Sequence, residues 1–171
     1  MLETLITSKT RLRILMKFFI NVGNQGYLRG LAEEFNESTN AIRKELNHLT
    51  EAGYLQKEAV QNKIAYKANN QHPLFAVLQK IVRTHLGLDT IIVMILEKMG
   101  EVNKVVVIGD YANGKDSGIV EVVLVGQNLN SEYIDQLASK IEQEIGRKIN
   151  FHLVEEFENP GMVIYENANK N

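Results

Sequence analysis

The chain contains no cysteine. Disulfides and thiolate metal sites are therefore excluded, and a reducing cytoplasm is the simplest home for it. Its longest apolar run, Ile91 to Leu96, is far too short to cross a bilayer, so no membrane partner is expected. The apolar stretch near the start, MLETLITSKTRLRILMKFF, is followed by no small-residue cleavage site, so no signal peptide is expected. The four histidines (His48, His72, His85 and His152) have no close ligand spacing. They are expected at the surface or in the core, with no metal and no cofactor. What remains is an ordinary globular composition, 44% hydrophobic and 23% charged over 171 residues, enough for one large domain or two small ones.

Charge is distributed unevenly. Residues 1–70 hold ten Lys/Arg against seven Asp/Glu, whereas residues 71–171 hold nine against fourteen. A mildly basic front and an acidic back suit different partners, and the basic excess fits nucleic acid.

SKTRLRILMKFFIN (8–21) places Leu12, Leu15, Met16 and Phe19 at helical spacing behind the N-cap residue Ser8. The glycine pair of NVGNQGY (21–27) breaks that helix. LRGLAEEF (28–35) is a second helix with Leu28, Leu31, Ala32 and Phe35 on one face, and Asn36 and Glu37 turn the chain. Ser38 caps a third helix over 38–53, with the stripe Ala41, Ile42, Leu46 and Leu49 and a left-handed end at Gly53. Two helices joined by a short turn form a helix-turn-helix. YLQKEAV (54–60) and KIAYKA (63–68) then read as strands around the turn Gln61-Asn62, a wing.

The other face of the third helix holds Thr39, Asn40, Arg43, Lys44 and Asn47. Arg reads guanine and Asn reads adenine in the major groove. Ser38 and Thr39, at the helix start, can hold a phosphate. Arg29 fits a backbone contact, and Lys57, Asn62 and Lys63 bring the wing near phosphates or the minor groove. The plainer alternative is a solvated helix in a protein-binding module. Leu28, Leu31, Ala32, Ser38, Ile42, Arg43, Leu46, Leu49, Gly53, Tyr54 and Leu55 follow an order that resembles the DNA-binding half of ArsR- and MarR-like bacterial transcription regulators. The resemblance covers the first 70 residues and implies a winged helix on double-stranded DNA.

HPLFAVLQKIVRTHLG (72–87) follows, with Pro73 at a first helical position. Its wide apolar face holds Leu74, Val77, Leu78, Ile81, Val82 and Leu86. DTIIVMILEKMG (89–100) starts a further helix, capped by Asp89. A helix at this place often pairs two subunits in winged-helix regulators, which makes a homodimer the expectation. Packing on the chain's own second domain is the alternative.

From residue 101 the pattern is strand (KVVVIG), loop (DYANGKDSG), strand (IVEVVLVG), a helix capped by Asn130 or Ser131 and running to Ile145, then strand (KINFHLVEE). The helix shows Tyr133, Leu137, Ile141 and Ile145 on one face. The tail 156–171 is Asn-rich and expected to fray at its end, with Met162 to Tyr165 as a last docking element. Residues 89–156 resemble the minimal nucleotidyltransferase fold, whose motif is roughly G-S-x-A-x-G followed by S-D-x-D on the next strand. Gly109, Asp110, Ala112 and Gly114 stand in the first part, with Asp110 where the family has Ser, and Ser117 matches the second.

Nucleotidyl transfer uses two Mg²⁺ ions held by carboxylates at i and i+2 of a strand. Those places hold Gly118 and Val120, and a slipped register supplies only Glu121, flanked by Ile119 and Val123. The closest match to the family's third carboxylate is Asn150. The resemblance thus implies the fold without the metal site, and no enzyme is expected. Gly109, Gly114, Lys115 and Ser117 can still meet an anion, while Asp110, Asp116 and Glu121 oppose one. GDYANGKDSG as a long polar turn is the plain alternative.

The expectation is an α+β chain: a winged-helix DNA-binding domain (1–70), a connecting helix (71–88) and a small α/β nucleotidyltransferase-like domain (89–171). The function expected is a cytoplasmic, homodimeric transcription regulator on double-stranded DNA. Its second domain would serve as scaffold or as sensor of a nucleotide or small-molecule effector. The alternatives are an active nucleotidyltransferase on a nucleic-acid or protein substrate, and a non-enzymatic partner subunit.

Overall fold

Ser8 begins the first helix, as its place in the sequence predicts. In the computed structural model, which describes residues 1–168, its hydroxyl accepts the Arg11 amide N–H at 3.1 Å. That bond satisfies one of the donors a helix start leaves free. The helix, α1 (Lys9–Phe19), buries Leu12, Leu15, Met16 and Phe19, and also Ile14 and Phe18. The end of the tail, expected to fray, includes residues 169–171, which lie outside the described residues.

The architecture is α+β, with two sheets, and the chain divides into two compact units, Met1–Val82 and Arg83–Asn171. In the first, a short strand β1 (Gln25–Tyr27) precedes α2 (Leu28–Phe35). The strand was not expected, because its glycine pair reads only as a helix break. Gly26 suits it: a Cβ there would lie 3.0 Å from the Leu31 side chain and 3.1 Å from Phe18.

The turn after α2 places Asn36 in left-handed geometry, φ 52°. Helix α3 (Thr39–Glu51) is capped by Ser38, whose Oγ accepts the Ala41 N–H at 3.2 Å. Its far end closes as expected. Gly53 has φ 80°, its N–H donates to the Thr50 carbonyl at 3.0 Å, and the Tyr54 N–H donates to Leu49 at 2.9 Å. Strands β2 (Leu55–Val60) and β3 (Lys63–Ala68) form the expected hairpin around Gln61-Asn62, and β1 completes an antiparallel sheet of order β1-β3-β2. Ile42, Leu46, Leu31, Phe18, Phe19 and Leu55 lie at the centre of this unit's core.

The unit boundary falls inside α4 (Phe75–His85), the helix expected as a connector. Pro73 is not its first residue. It stands in the preceding turn, where the His72 ring accepts the Leu74 N–H at 3.1 Å.

Helix α5 (Leu88–Lys98) starts one residue before the expected Asp89. Asp89 therefore sits in the first turn and not at the cap, which is Gly87 with φ 75°. Only glycine fits there, since a Cβ would lie 2.5 Å from Ile145 Cγ2.

Strand β4 (Glu101–Ile108) starts earlier than the apolar run predicts. The stretch expected as a loop contains one helical turn, α6 (Gly109–Ala112), before β5 (Ile119–Gln127). Helix α7 (Ile134–Ile145) is entered through a 3-10 turn over Ser131–Tyr133, so neither Asn130 nor Ser131 caps it with a side chain. Strands β6 (Lys148–Val154) and β7 (Met162–Glu166) complete a sheet of order β6-β5-β4-β7, in which only β5 and β6 run parallel. The Met162–Tyr165 segment thus docks as an edge strand.

Strand alternation splits this sheet into two faces. Val105, Val107, Val120, Val122 and Leu124 are fully or almost fully buried on the face covered by α5 and α7. Val106, Val123 and Val125 form a smaller cluster on the other, under Ile108, Val154 and Phe157.

Candidate functional site

Helix α3 is divided along its length. Ile42, Leu46 and Leu49 point into the core, and Thr39, Asn40, Arg43, Lys44 and Asn47 are exposed. Arg43 Nη1 donates to Asn40 Oδ1 at 2.8 Å, so two of the expected base readers are held side by side. Ser38 is exposed, and its Oγ serves as the helix cap.

One charged residue of α3 lies on the buried side, which its apolar stripe does not predict. Glu45 is only 7% exposed. Its carboxylate accepts Ser8 Oγ–H at 2.9 Å and Arg11 Nε–H at 2.8 Å. Burial works to raise its pKa, but the hydrogen bonds from Arg11 and Ser8 and the charge of Arg11 outweigh burial and hold it below the usual value. Its position between Ile42 and Leu49, on the same arc, was the available clue.

Two more ion pairs spring from α1: Arg13 to Glu37 at 2.9 Å and Lys17 to Glu34 at 3.0 Å. With Arg11–Glu45, they use three of the unit's bases and three of its acids as internal braces. Arg29, Arg43, Lys44, Lys57 and Lys63 are exposed and carry no ion pair among the described residues. Asn62 sits exposed at the hairpin turn, and Lys63 Nζ lies 5.9 Å above the Tyr27 ring. The unit as a whole holds eleven Lys/Arg against seven Asp/Glu.

In the second unit, Gly109 begins the α6 turn with φ 68°, and Asp110 and Lys115 are exposed. Gly114 is buried, with φ 77°. Ser117 Oγ–H turns to the Ile119 carbonyl at 3.5 Å. Val120 is fully buried and Gly118 has φ 84°, so neither expected carboxylate position presents a ligand.

Glu121 is on the opposite sheet face and already occupied. It accepts Asn150 Nδ2–H at 2.8 Å, and His152 Nε2 lies 2.7 Å from its other oxygen. These bonds, His152 first and then Asn150, hold its pKa below the usual carboxylate range. His152 is exposed, one of the two settings expected for it, and the contact with Glu121 is what its place in the sequence did not reveal.

Asp116 does not stand as a bare charge opposing an anion. Arg147 grips it in bidentate fashion, Nε at 3.0 Å and Nη2 at 2.7 Å, and the Tyr111 hydroxyl donates to it as well. Burial pushes the Asp116 pKa up, but Arg147 and Tyr111 bring it below its ordinary value. Burial and the neighbouring carboxylate push the Tyr111 phenol up. The Asp116 hydrogen bond raises Arg147 against its own desolvation. This network ties the loop between α6 and β5 to the start of β6.

Among the described residues no three His, Asp or Glu side chains gather to hold a metal ion, and no helix is long and apolar enough to cross a membrane. No family model, curated protein or solved structure matches the chain.

Proposed function

We propose that the chain is a double-stranded-DNA-binding transcription regulator of the cytoplasm, acting as a homodimer. In this reading the first unit is a winged helix whose α3 enters the major groove. The second is a nucleotidyltransferase-like fold that supports no transfer. The observation that carries the reading is the division of α3. One side is fixed by core contacts and by the Glu45–Arg11–Ser8 bonds. The other offers Thr39, Asn40, Arg43, Lys44 and Asn47 with no acid bound to them. Amide and guanidinium donors on a rigid helix are what base-edge recognition requires.

The braces of α1 strengthen the argument. A surface whose bases were all paired would present little field to a phosphate backbone. Here the pairing is internal, and among the described residues the cations without an ion pair include Arg29 at the start of α2, Arg43 and Lys44 on α3, and Lys57 and Lys63 on the hairpin, with Lys9 and Lys80 elsewhere on the unit.

Homodimerisation is supported by Val77 and Ile81 of α4, 52% and 37% exposed, with Leu74 before them at 45%. Val93 and Leu96 of α5 are exposed as well. Unpartnered apolar rows of this kind suit subunit pairing. For the second unit, a scaffold role fits better than transfer, because Glu121 is held by Asn150 and His152 and has no carboxylate beside it on its strand.

The reading is tested by fluorescence anisotropy with a duplex selected from a random pool by the full-length protein. Arg43→Ala with Lys44→Ala should weaken binding by at least the cost of one base-reading arginine, about 1–3 kcal/mol, with an unchanged far-ultraviolet spectrum. Unaltered affinity at matched salt would overturn it.

A further inference from the structure

The edge of a sheet presents main-chain donors and acceptors that another strand can use, and proteins commonly guard it. Among the described residues the sheet edges are β1, β2, β6 and β7. Strand β1 is three residues long, and β2 carries Lys57 and Glu58 at its middle. The pairing of β7 with β4 is irregular between Val105 and Val106. Strand β6 has none of these guards. It is seven residues long, pairs with β5 without a register shift, and holds no proline, lysine or acid from Ile149 to Val154.

The Lys148 N–H donates to the Gly118 carbonyl at 2.9 Å. Lys148, Asn150, His152 and Val154 therefore turn their main-chain groups towards β5, and Ile149, Phe151 and Leu153 turn theirs outward. Outside, the Ile149 N–H is met by Glu142 Oε1 at 3.0 Å. Phe151 and Leu153 are left as the outward pair, and their side chains are half-buried on the sheet face that α7 covers. Charge runs along the strand as well. Lys148 stands at its start, and Glu155 and Glu156 follow its end, all exposed. Lys148 reaches Glu142 at 3.2 Å yet keeps 75% of its side chain exposed.

We infer that β6 pairs antiparallel with β6 of a second copy, about a two-fold axis at His152, as a contact distinct from the α4 row. In this register Phe151 and the partner's Leu153 stand opposite as a hydrogen-bonded pair, and symmetry repeats that pair on the other side of the axis. Every outward main-chain group of Phe151 and Leu153 is then satisfied, and Ile149 keeps Glu142. Centring on Phe151 would set Ile149 opposite the partner's Leu153, which would compete with Glu142 for the Ile149 N–H. The His152 register also brings Lys148 beside the partner's Glu156, whereas a parallel pairing would set base beside base and acid beside acid. Phe151 and the partner's Leu153 cover each other's open sides. The strand is its own complement in hydrogen bonding, charge and apolar surface, which is why the occupant is a second copy. The contact is small, so it joins copies already held at high local concentration.

The experiment uses the full chain, which has no cysteine, so an introduced one can bridge only to its own copy. Residues opposite each other as a non-hydrogen-bonded pair, as His152 is to itself here, have Cα atoms about 4.5 Å apart, within the reach of a disulfide. In a glutathione buffer His152→Cys should run as a cross-linked dimer on a non-reducing gel. Asn150→Cys, which faces the partner's Val154, should run as a single chain. Leu153→Pro removes an outward N–H and leaves the β5 ladder intact. Added to His152→Cys, it should abolish the cross-link at an unchanged far-ultraviolet spectrum. Glu156→Lys, at an exposed position that leaves folding alone, should slow it. The cross-link should persist when Val77→Glu and Ile81→Glu are added, which separates it from the α4 row. Absence of the His152→Cys dimer, equal cross-linking of Asn150→Cys, or loss of the cross-link with the α4 changes would overturn the pairing. So would a cross-link that Leu153→Pro and Glu156→Lys both leave unchanged, since chance collision would then account for it.

Discussion

Replacing Glu45 by Ala removes the carboxylate that locks α3 to α1. Two charge-assisted hydrogen bonds go, from Ser8 at 2.9 Å and from Arg11 at 2.8 Å. Bonds to a charged group contribute about 1.5–3 kcal/mol each. The sum must be discounted, because the Arg11 side chain is 41% exposed and regains water. The expected cost is about 2–3 kcal/mol, or roughly 10–20 °C in the melting of a unit of this size. Glu45→Gln keeps the shape and one acceptor and should cost less.

The pH dependence follows from the lowered Glu45 pKa. A carboxylate whose folded pKa lies below its unfolded one adds stability that is complete above the unfolded value, near 4.5. That stability is lost as the pH falls through the folded value. The gap between wild type and Glu45→Ala should therefore be widest at neutral pH and shrink as the pH falls below about 4.5. Denaturant titrations followed by circular dichroism at a series of pH values would measure it. A gap that stays constant across the acid range, or one under about 0.5 kcal/mol at pH 7, would refute the role given to this carboxylate.

Wild-type DNA affinity should fall steeply with salt, and the Arg43→Ala, Lys44→Ala protein should lose about one to two units of that logarithmic slope. Val77→Glu with Ile81→Glu should turn a dimer into a monomer by light scattering, and a wild-type monomer at tens of micromolar, roughly, would contradict the pairing surface. With Mg²⁺ or Mn²⁺ and labelled nucleoside triphosphates, no label should pass to the protein, to DNA or to a partner. Metal-dependent transfer abolished by Glu121→Gln would show a live enzyme. Gly87→Ala should destabilise the second unit by about 1–3 kcal/mol, since its Cβ would meet Ile145 at 2.5 Å and φ is 75°. An unchanged urea midpoint would count against that geometry.

Helix boundaries set by local chemistry were legible in the sequence. Ser8, Ser38 and Gly53 announce caps through bonds within a few residues of themselves, and those bonds are present. Features made by distant partners were not. Strand β1 exists because Gly26 pairs with Tyr66, and no alternation in three residues reveals that. Asp89 and Asn130 look like caps, yet Gly87 and a 3-10 turn start those helices, because the approach of Ile145 and the geometry of the turn prevail over side-chain preference. The engagement of Asp116 by Arg147 spans 31 positions, and that of Glu121 by His152 the same, beyond the reach of any spacing rule. The α3 face, by contrast, followed directly from a helical period in which Ile42, Leu46 and Leu49 point one way.

Selection of a random duplex pool by the full-length protein tests the α3 reading most directly. Wild type should enrich one sequence built of two symmetric half-sites, as a dimer presenting two copies of α3 requires. The Arg43→Ala, Lys44→Ala protein should enrich nothing under the same salt. A wild-type pool that remains indistinguishable from the input would contradict the claim that this helix reads DNA.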